Sequence, residues 1–422
     1  MTNYEFFRTK KYSISEVKSK MKIYSDDLIL LLKDEELRQL VINKYSLTQS
    51  VIIDIDKIDI IYHEIKKFVE RFEVLRLNVQ ENNVVTYLKD NPETNFVDYY
   101  FLIKEACDEN GEIFENIHAV AIYDSLNLFY QGRSLTQYVK SINSNSKIDK
   151  KTLLEDLNVS WDKYYKSNPE DVKNRKFRIL KKNDLYYVKS INTDFYKEYG
   201  IAESFVLSML ELHKIQSQNK GIIFKISSLD LRESKIDLII SLDKKVIVKD
   251  IGFFKPSISI RNEDQGNTSL GVYNSIVFFP EKDKETKVYL FPRNDKDLIE
   301  NRKTARHTIN KDTLLDLFES ISSLFTQLDD IEKDFKFYKG ARTPDELRQK
   351  IEERVCSPNS MFKGLFQLKD LFSKAKSGHV ENLESLLRIC GKAEMLDMDF
   401  DLKFKLRYLI SNVLLYGDNK IK

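Results

Sequence analysis

Hydrophobic periodicity changes near Asn310, and this change constrains the fold more than any other feature. From there to the end, apolar residues recur at helical spacing, as in Leu314, Leu317, Phe318 and Ile321. Before it, short runs such as GIIFKISS, KIDLIIS and KVYLFP carry the β-branched and aromatic residues typical of strands. The pattern predicts an α+β multidomain protein whose C-terminal part is entirely helical.

The predicted domains follow from these changes in pattern. A chain of 422 residues suits two or three domains, and the polar tract KSINSNSKIDKK has no apolar period. We predict a mixed α/β N-terminal domain over 1–140 and a linker region over 141–170. A central α+β domain follows over 171–300, with a β-meander packed against one helix. A helical C-terminal bundle is predicted over 310–422.

Composition excludes several classes of protein. The chain has only 12 glycines and contains no GxGxxG, GxxxxGK[ST], GxSxG or HExxH motif, so we expect no nucleotide cofactor, lipase-type nucleophile or zincin site. Its 3 cysteines lie far apart, which predicts neither disulfides nor a CxxC site and favours a reducing, cytoplasmic compartment. Neither a signal peptide nor a membrane-spanning run is predicted.

The stretch SKIDLIISLDKKVIVKDIG, residues 234–252, places Asp237 on one apolar run and Lys249 after the next. Glu203 or Glu211 lies on the predicted helix before them. This order resembles the restriction-endonuclease-like core, in which a helix Glu, a strand Asp and an acid-x-Lys pair hold Mg²⁺. The resemblance covers about Glu203 to Val277 and implies a metal-dependent nuclease that uses Glu203, Asp237 and Lys249 with Mg²⁺ as cofactor.

The same stretch departs from that pattern at its most informative position. Ile247 stands where the acid two residues before Lys249 is needed, so a metal would keep one strand carboxylate. Two alternatives therefore stay open: a degenerate nuclease-like domain, or a plain β-hairpin with a polar turn at 243–245.

A second candidate site is NRKTARH, residues 301–307. Arg302 and His307 have the R-x4-H spacing of the HEPN ribonucleases, which they resemble in this motif alone. That resemblance implies RNA cleavage without metal, with the His in proton transfer. The alternative is an exposed basic loop that contacts phosphates through Arg302, Lys303 and Arg306.

Charge is polarised along the chain although Lys+Arg 68 nearly balances Asp+Glu 66. Residues 51–131 are acidic, whereas residues 132–190 are basic and include the predicted hairpin VKNRKFRILKKNDLYYVK. Its basic and aromatic residues are interleaved, which is typical of surfaces that bind phosphates and stack bases. The residues predicted to contact nucleic acid are Lys173, Arg175, Lys176, Phe177, Arg178, Lys181, Lys182 and Tyr187, together with the basic loop. The alternative is a solvated hairpin edge.

The acidic run VIIDIDKIDIIYHE does not predict a metal site. Asp54 and Asp56 alternate with Ile53 and Ile55, which indicates a half-exposed strand with an acidic outer side. No metal is therefore expected, unless the nuclease alternative holds.

The helical C-terminus predicts contacts with a protein partner or a second copy of the chain, with Met361, Phe362, Leu365 and Phe366 as exposed anchors. Together these features favour a non-catalytic subunit of a bacterial or phage-related system, such as anti-phage defence, that contacts nucleic acid and partners. A nuclease and a protein scaffold are the alternatives, and the choice between DNA and RNA stays open.

Overall fold

The computed structural model describes residues 10–13, 21–91, 96–135, 137–139, 149–192, 195–264, 269–281, 286–291, 302–324 and 343–417. The helices with defined bounds are α1 Ser25–Ile29, α2 Glu35–Lys44, α3 Ile58–Val69, α4 Ser125–Gln131, α5 Lys150–Ser167, α6 Ile201–Gln218, α7 Lys311–Glu319, α8 Pro344–Cys356, α9 Phe366–Phe372, α10 Lys374–Ser377, α11 Leu383–Glu394 and α12 Phe400–Tyr416. The strands are β1 Lys10–Ser13, β2 Glu73–Gln80, β3 Val84–Asn91, β4 Phe96–Cys107, β5 Ile113–Ala121, β6 Asn174–Lys182, β7 Leu185–Asn192, β8 Phe224–Arg232, β9 Lys235–Leu242, β10 Val246–Val248, β11 Gly252–Glu263, β12 Leu270–Pro280, β13 Val288–Leu290 and β14 Arg302–Ala305.

Strands β2 to β7 form a closed five-stranded barrel with β3 as an extension. The order around the barrel is β2-β6-β7-β5-β4, and the pair Asn78 and Cys107 closes β4 onto β2. Strands β5 and β7 run parallel and the other neighbours run antiparallel. One 3-10 turn joins β2 to β3, so both act as one long bent strand that pairs first with β6 and then with β4.

The interior of the barrel is apolar because alternate residues of each strand point inward. Leu75 and Leu77 of β2 lie opposite Ile179 and Phe177 of β6, and Phe101 of β4 contacts Phe177 edge to face. Helices α4 and α5, which lie between β5 and β6 in the chain, add Phe129, Tyr130 and Leu154 to this core.

The barrel continues across the predicted domain boundary at residue 171. The basic hairpin predicted to open the central domain at residue 171 is β6–β7, and it completes the barrel beside β2 instead. The predicted linker over 141–170 contains α5, which packs on β3. A lone hairpin is marginally stable in water, whereas β2 gives β6 eight paired residues and a closed core.

The central sheet has the order β1-β8-β9-β11-β12-β13, with β10 added to β11 and β14 added to β12. All these pairs are antiparallel, so strands β8 to β13 form the expected meander. One face packs against α1, α2, α3, α6 and α7 in a single core that includes Leu28, Ile61, Phe205, Leu238 and Leu314. The predicted single packed helix is therefore too few, and the N-terminal helices belong with this sheet.

The predicted hairpin within residues 234–252 is wrong. Strand β9 pairs with β8 on one side and β11 on the other, whereas β10 pairs only with the first residues of β11. The tight turn lies at 249–251, where Asp250 adopts a left-handed φ of 63°. Strand β9 is buried almost throughout and needs long partners on both sides, which the three residues of β10 cannot supply.

The C-terminal bundle predicted from the sequence, α8 to α12, packs against the β10–β13 end of the central sheet, where Phe254, Phe278 and Leu290 share a core with Ile351, Leu386 and Ile410. Helix α12 also covers part of the opposite face of the sheet, where Ile239 and Val277 pack with Phe404 and Tyr408. Arg407 of α12 is buried in the interface, where it donates to Asp237 of β9 at 2.9 Å and to Glu394 of α11 at 3.1 Å. Lys403 pairs with Asp230 of β8 at 2.9 Å. We call these five residues the bundle cluster.

The acidic segment over 51–57 contains isolated bridges at Ile52 and Asp56 and no extended strand, so the predicted half-exposed strand is wrong. Ile53 and Ile55 instead point into the core beneath α3. Within the part of the chain that the structure describes, no helix is long and apolar enough to cross a bilayer.

Candidate functional site

A cleft of about 650 Å³ opens between the barrel and the central domain. Its floor is the outer side of β2, β6 and β7, where Arg76, Lys176 and Lys189 alternate with inward-facing core residues. The opposite wall is the loop 195–200 and the start of α6. Because alternate residues of a strand point to opposite sides, the same strands supply both the barrel core and the cleft floor.

The inner end of the cleft holds buried charges from both domains. Lys189 of β7 donates to Glu233 at 2.7 Å and to Asp264 at 2.9 Å. Arg178 of β6 donates to the Asp264 backbone carbonyl at 2.6 Å and also pairs with Glu198. Two barrel cations are thus held by three carboxylates of the central domain. We call Arg178, Lys189, Glu198, Glu203, Glu233 and Asp264 the inner cluster.

The electrostatics of the inner cluster differ between its carboxylates. Burial would raise the pKa of Glu198, but Arg178 and Arg76 outweigh it and hold that pKa at about 2. Arg76 Nε lies 2.7 Å from Glu198. Burial raises the pKa of Glu233 even though Lys189 contacts it, and Tyr123 Oη donates to its second oxygen at 3.1 Å.

Glu203 occupies the first turn of α6 and faces the cleft. Its Oε2 accepts the backbone N–H of the N-cap residue Gly200 at 2.7 Å, which satisfies one donor at the start of this helix. Burial raises the pKa of the Glu203 carboxyl to about 7. Among the residues described, no cation pairs with it, so this carboxyl gains and loses its proton near neutral pH.

Three buried polar atoms at the inner end have no hydrogen-bond partner within the described ranges: Asp264 Oδ1, Arg178 Nε and Tyr196 Oη. All three residues line the cleft. A buried polar group without a partner costs about 1–3 kcal/mol, so a native protein keeps such groups for a reason.

His307 lies behind the cleft wall and supports it. Its ring stacks on Tyr196 with centroids 5.1 Å apart, and its Nε2 lies 3.1 Å from Asn262 Oδ1. Asn262 Nδ2 donates to the Tyr199 carbonyl at 2.6 Å and to Ser204 Oγ at 2.9 Å. Burial lowers the pKa of His307. The neutral ring therefore positions the loop that forms the wall.

The structure does not bring the predicted nuclease residues together. Asp237 is buried under the C-terminal bundle, where Ser259 Oγ and Arg407 donate to it. Lys249 lies in the exposed turn before Gly252, the first residue of β11. Asp237 lies opposite Arg261, nine residues further along β11, so Lys249 and Asp237 are at opposite ends of this strand, about 30 Å apart. Ile247 is 82% exposed, and Glu203 alone of the set lines the cleft.

The predicted pair of Arg302 and His307 does not share a helix. Arg302 and Lys303 lie on β14, opposite Tyr273 and Val272, whereas His307 follows in a turn and is buried. Arg306 is exposed. The geometry therefore does not match the single-helix arrangement that the R-x4-H motif implies.

The predicted nucleic-acid surface on the hairpin is largely occupied by structural contacts. Phe177 and Tyr187 are fully buried and cannot stack on bases, and Arg178 belongs to the inner cluster. Arg175 pairs with Glu81 at 2.7 Å and Lys181 pairs with Glu73 at 3.0 Å. Lys173 is exposed, while Lys176 and Lys182 are half-buried.

Two of the four predicted C-terminal anchors are exposed. Phe366 is 75% and Met361 is 53% accessible, whereas Phe362 is buried and Leu365 packs against the bundle core. Binding of a protein partner or a second copy of the chain at this surface therefore stays a prediction.

Sequence reasoning missed Arg76, Lys189, Glu198 and Asp264. Lys189 carried a detectable signal, since it interrupts the apolar run YYVKSI on a strand whose alternate residues are core. The others come from separate elements, and only the packing of the barrel on the central domain brings them together.

Within the described ranges, no group of three or more His, Cys, Asp or Glu is placed to hold a metal ion. Comparison with known proteins identifies no relative: no family model, no curated protein and no solved structure matches the chain. Its function must therefore be inferred from its own residues.

Proposed function

We propose that the protein binds nucleic acid in the cleft between the barrel and the central domain. The carrying observation is the composition of the cleft floor and the facing wall, where basic side chains lie beside apolar and aromatic ones. Arg76 and Lys176 share the floor with half-buried Val74, and half-buried Tyr196 lies on the facing wall. Cations that contact phosphates beside rings and apolar groups that receive bases are the usual elements of a single-strand groove.

The rim of the cleft provides cations that are open to a ligand. Lys33 and Lys197 are exposed, line the cleft and make no ion pair with any residue that the structure describes. Lys311, by contrast, is neutralised by Asp34 at 2.7 Å and by Glu36. Lys33 and Lys197 are therefore the side chains whose charge reaches an incoming phosphate first.

The barrel supports nucleic-acid binding, but not the choice of the cleft, by analogy of fold. Counting β2–β3 as one strand, its five strands follow the order 1-2-3-5-4 with strands 3 and 5 parallel and a helical segment between strands 3 and 4, which is the connectivity of OB-type barrels. Many such barrels bind oligonucleotides on strands 2 and 3, here β4 and β5, whereas the cleft floor lies on β2, β6 and β7, and fold alone does not decide function. Protein partners and a role in bacterial defence stay predictions.

The test compares the cleft with the hairpin edge. We expect Lys33→Glu with Lys197→Glu to weaken binding of a labelled single strand of about 12 nucleotides by about tenfold or more, and to flatten its salt dependence. Fluorescence anisotropy against salt concentration measures both effects.

The matched control is Lys173→Glu at the hairpin edge with Lys163→Glu on α5, which changes the charge equally at two exposed lysines that do not line the cleft. We expect it to leave affinity within about twofold, as for rim charges far from a ligand. Equal losses in the two double variants, or no binding by the wild-type protein, would refute the proposal.

A further inference from the structure

The inner end of the cleft carries more negative than positive groups. The inner cluster and Arg76 together contain four carboxylates, from Glu198, Glu203, Glu233 and Asp264, against three cations. The cations are each engaged with Glu198, Glu233 or Asp264. Glu203 is the remaining acid, so a phosphate that moved from Lys33 and Lys197 to this end would meet net repulsion whenever Glu203 is ionised.

Two of these carboxylates approach each other beside Gly200. A Cβ built on Gly200 would lie 3.0 Å from Asp264 Oδ2 and 3.4 Å from Glu203 Oε2, so a side chain at this position would crowd Asp264. The absence of a side chain at residue 200 therefore lets the Glu203 and Asp264 carboxylates lie near each other.

One carboxylate oxygen of Asp264 is available to a ligand. The residue is 4% exposed, and its Oδ2 receives Lys189 and Arg178, while Oδ1 has no partner among the residues described. A buried carboxylate oxygen that receives no hydrogen bond favours contact with a cation. This feature is independent of the charge count, because it concerns one atom and its missing contact.

We propose that a divalent cation such as Mg²⁺ binds between Glu203 and Asp264 at the inner end of the cleft and is shared with a phosphate of the bound nucleic acid. The inference rests on the proposed function and specifies how a phosphate reaches the acidic end. Two carboxylates plus phosphate oxygens and water are the ligand set that Mg²⁺ favours, and this explains why no three-residue metal cluster is needed.

The test measures oligonucleotide affinity by anisotropy in EDTA and in millimolar Mg²⁺ at constant ionic strength. We expect Mg²⁺ to tighten binding by the wild-type protein at least about fivefold, a coupling of ordinary size. Glu203→Gln abolishes this response, and it keeps the helix cap because Gln also accepts the Gly200 N–H. Asp264→Asn provides a second variant with the same expected loss.

The matched control is Glu346→Gln. Glu346 makes the same kind of contact at the start of α8, where its carboxylate accepts the backbone N–H of the N-cap residue Thr343 at 3.0 Å on an exposed surface. This variant should respond to Mg²⁺ as the wild-type protein does. A wild-type affinity that Mg²⁺ does not tighten, or a full response in Glu203→Gln, overturns the cation site.

Failure of the proposed function gives a different result. If no oligonucleotide binds in either condition, Mn²⁺ titrated with inorganic phosphate and followed by electron paramagnetic resonance tests the cation site alone. Binding of Mn²⁺ that is lost in Glu203→Gln supports the site without nucleic acid, and the absence of Mn²⁺ binding overturns it.

Discussion

The inner cluster and the bundle cluster are two buried groups of charges on the same central sheet, and they differ in access. Both join the sheet to a neighbouring unit, the barrel in one case and the C-terminal bundle in the other. Arg407 is enclosed by Asp230, Asp237 and Glu394 in a packed interface. Arg178 and Lys189 instead face a cleft of about 650 Å³.

The difference teaches that burial of charge does not by itself indicate a functional site. Asp237 was predicted as a catalytic candidate because a charged group on an apolar strand is unusual. Its contacts, with Ser259 and Arg407, instead hold the sheet and the C-terminal bundle together. Glu203 has no cationic partner in the described part of the chain, opens onto the cleft and carries a pKa of about 7. Perturbed groups that face a cleft are the better candidates for function.

The largest expected effect on stability tests whether the bundle cluster holds the C-terminal bundle on the sheet. Arg407→Met removes the central cation and leaves the buried Asp237 carboxylate with the Ser259 hydroxyl but without its charge partner, so we expect the free energy of unfolding to fall by about 3–5 kcal/mol. Urea unfolding followed by circular dichroism measures this. Lys392→Met, on the exposed side of α11, is the control and should change stability by less than about 0.5 kcal/mol. A near-neutral Arg407→Met would contradict this role.

The next effect tests the inner cluster through pH. The folded pKa of Glu203, about 7, lies above the ordinary value of 4.5 for this side chain, so the stability that its protonated form contributes is complete below about pH 4.5 and is lost as pH rises through about 7. Glu203→Gln avoids that loss. We expect it to raise the free energy of unfolding by about 1–2 kcal/mol at pH 8 and not at pH 4.5, allowing for screening by water in the cleft.

Glu346→Gln serves again as the control, because its capping box is exposed. Unfolding of both variants is measured in urea at the two pH values. An equal gain in both variants, or a gain by Glu203→Gln that does not depend on pH, would show that Glu203 is an ordinary cap.

The smallest effect compares two tyrosines of the cleft wall. Tyr199 Oη donates to the Ile309 carbonyl at 2.9 Å, whereas Tyr196 Oη has no partner within the described ranges. We expect Tyr199→Phe to lower the free energy of unfolding by about 1 kcal/mol and Tyr196→Phe to leave it unchanged or slightly higher. Thermal unfolding of the two variants checks the order, and the reverse order would contradict the assignment.

Sequence patterns predicted element types better than their partners. The strands of the central meander, the basic hairpin and the C-terminal helices follow from local periodicity. The pairing of β6 with β2, about a hundred residues apart in the chain, does not, because many strands have similar apolar alternation. Because of that non-local pairing, the hairpin belongs to the barrel and not, as predicted, to the central domain.

The same limit applies to the candidate site. Glu203 was predicted as a candidate catalytic residue from its position on a helix, and it lines the cleft. Asp264 and Lys189 meet only because the barrel packs on the end of β11, and neither belongs to a motif. The predicted aromatic contacts failed because alternation on a closed barrel places Phe177 inside, a fact that follows from closure and not from local sequence.

Photo-crosslinking of a 4-thiouridine-labelled single strand, read by mass spectrometry of the linked peptides, tests most directly whether the cleft is the binding site. The account predicts crosslinks to the cleft, at Tyr196 or Lys197 on the wall and at Lys33 on the rim. Crosslinks confined to Tyr87 and His118, which contact each other on the outer side of β3 and β5, would instead place the ligand on another face of the barrel and contradict the account.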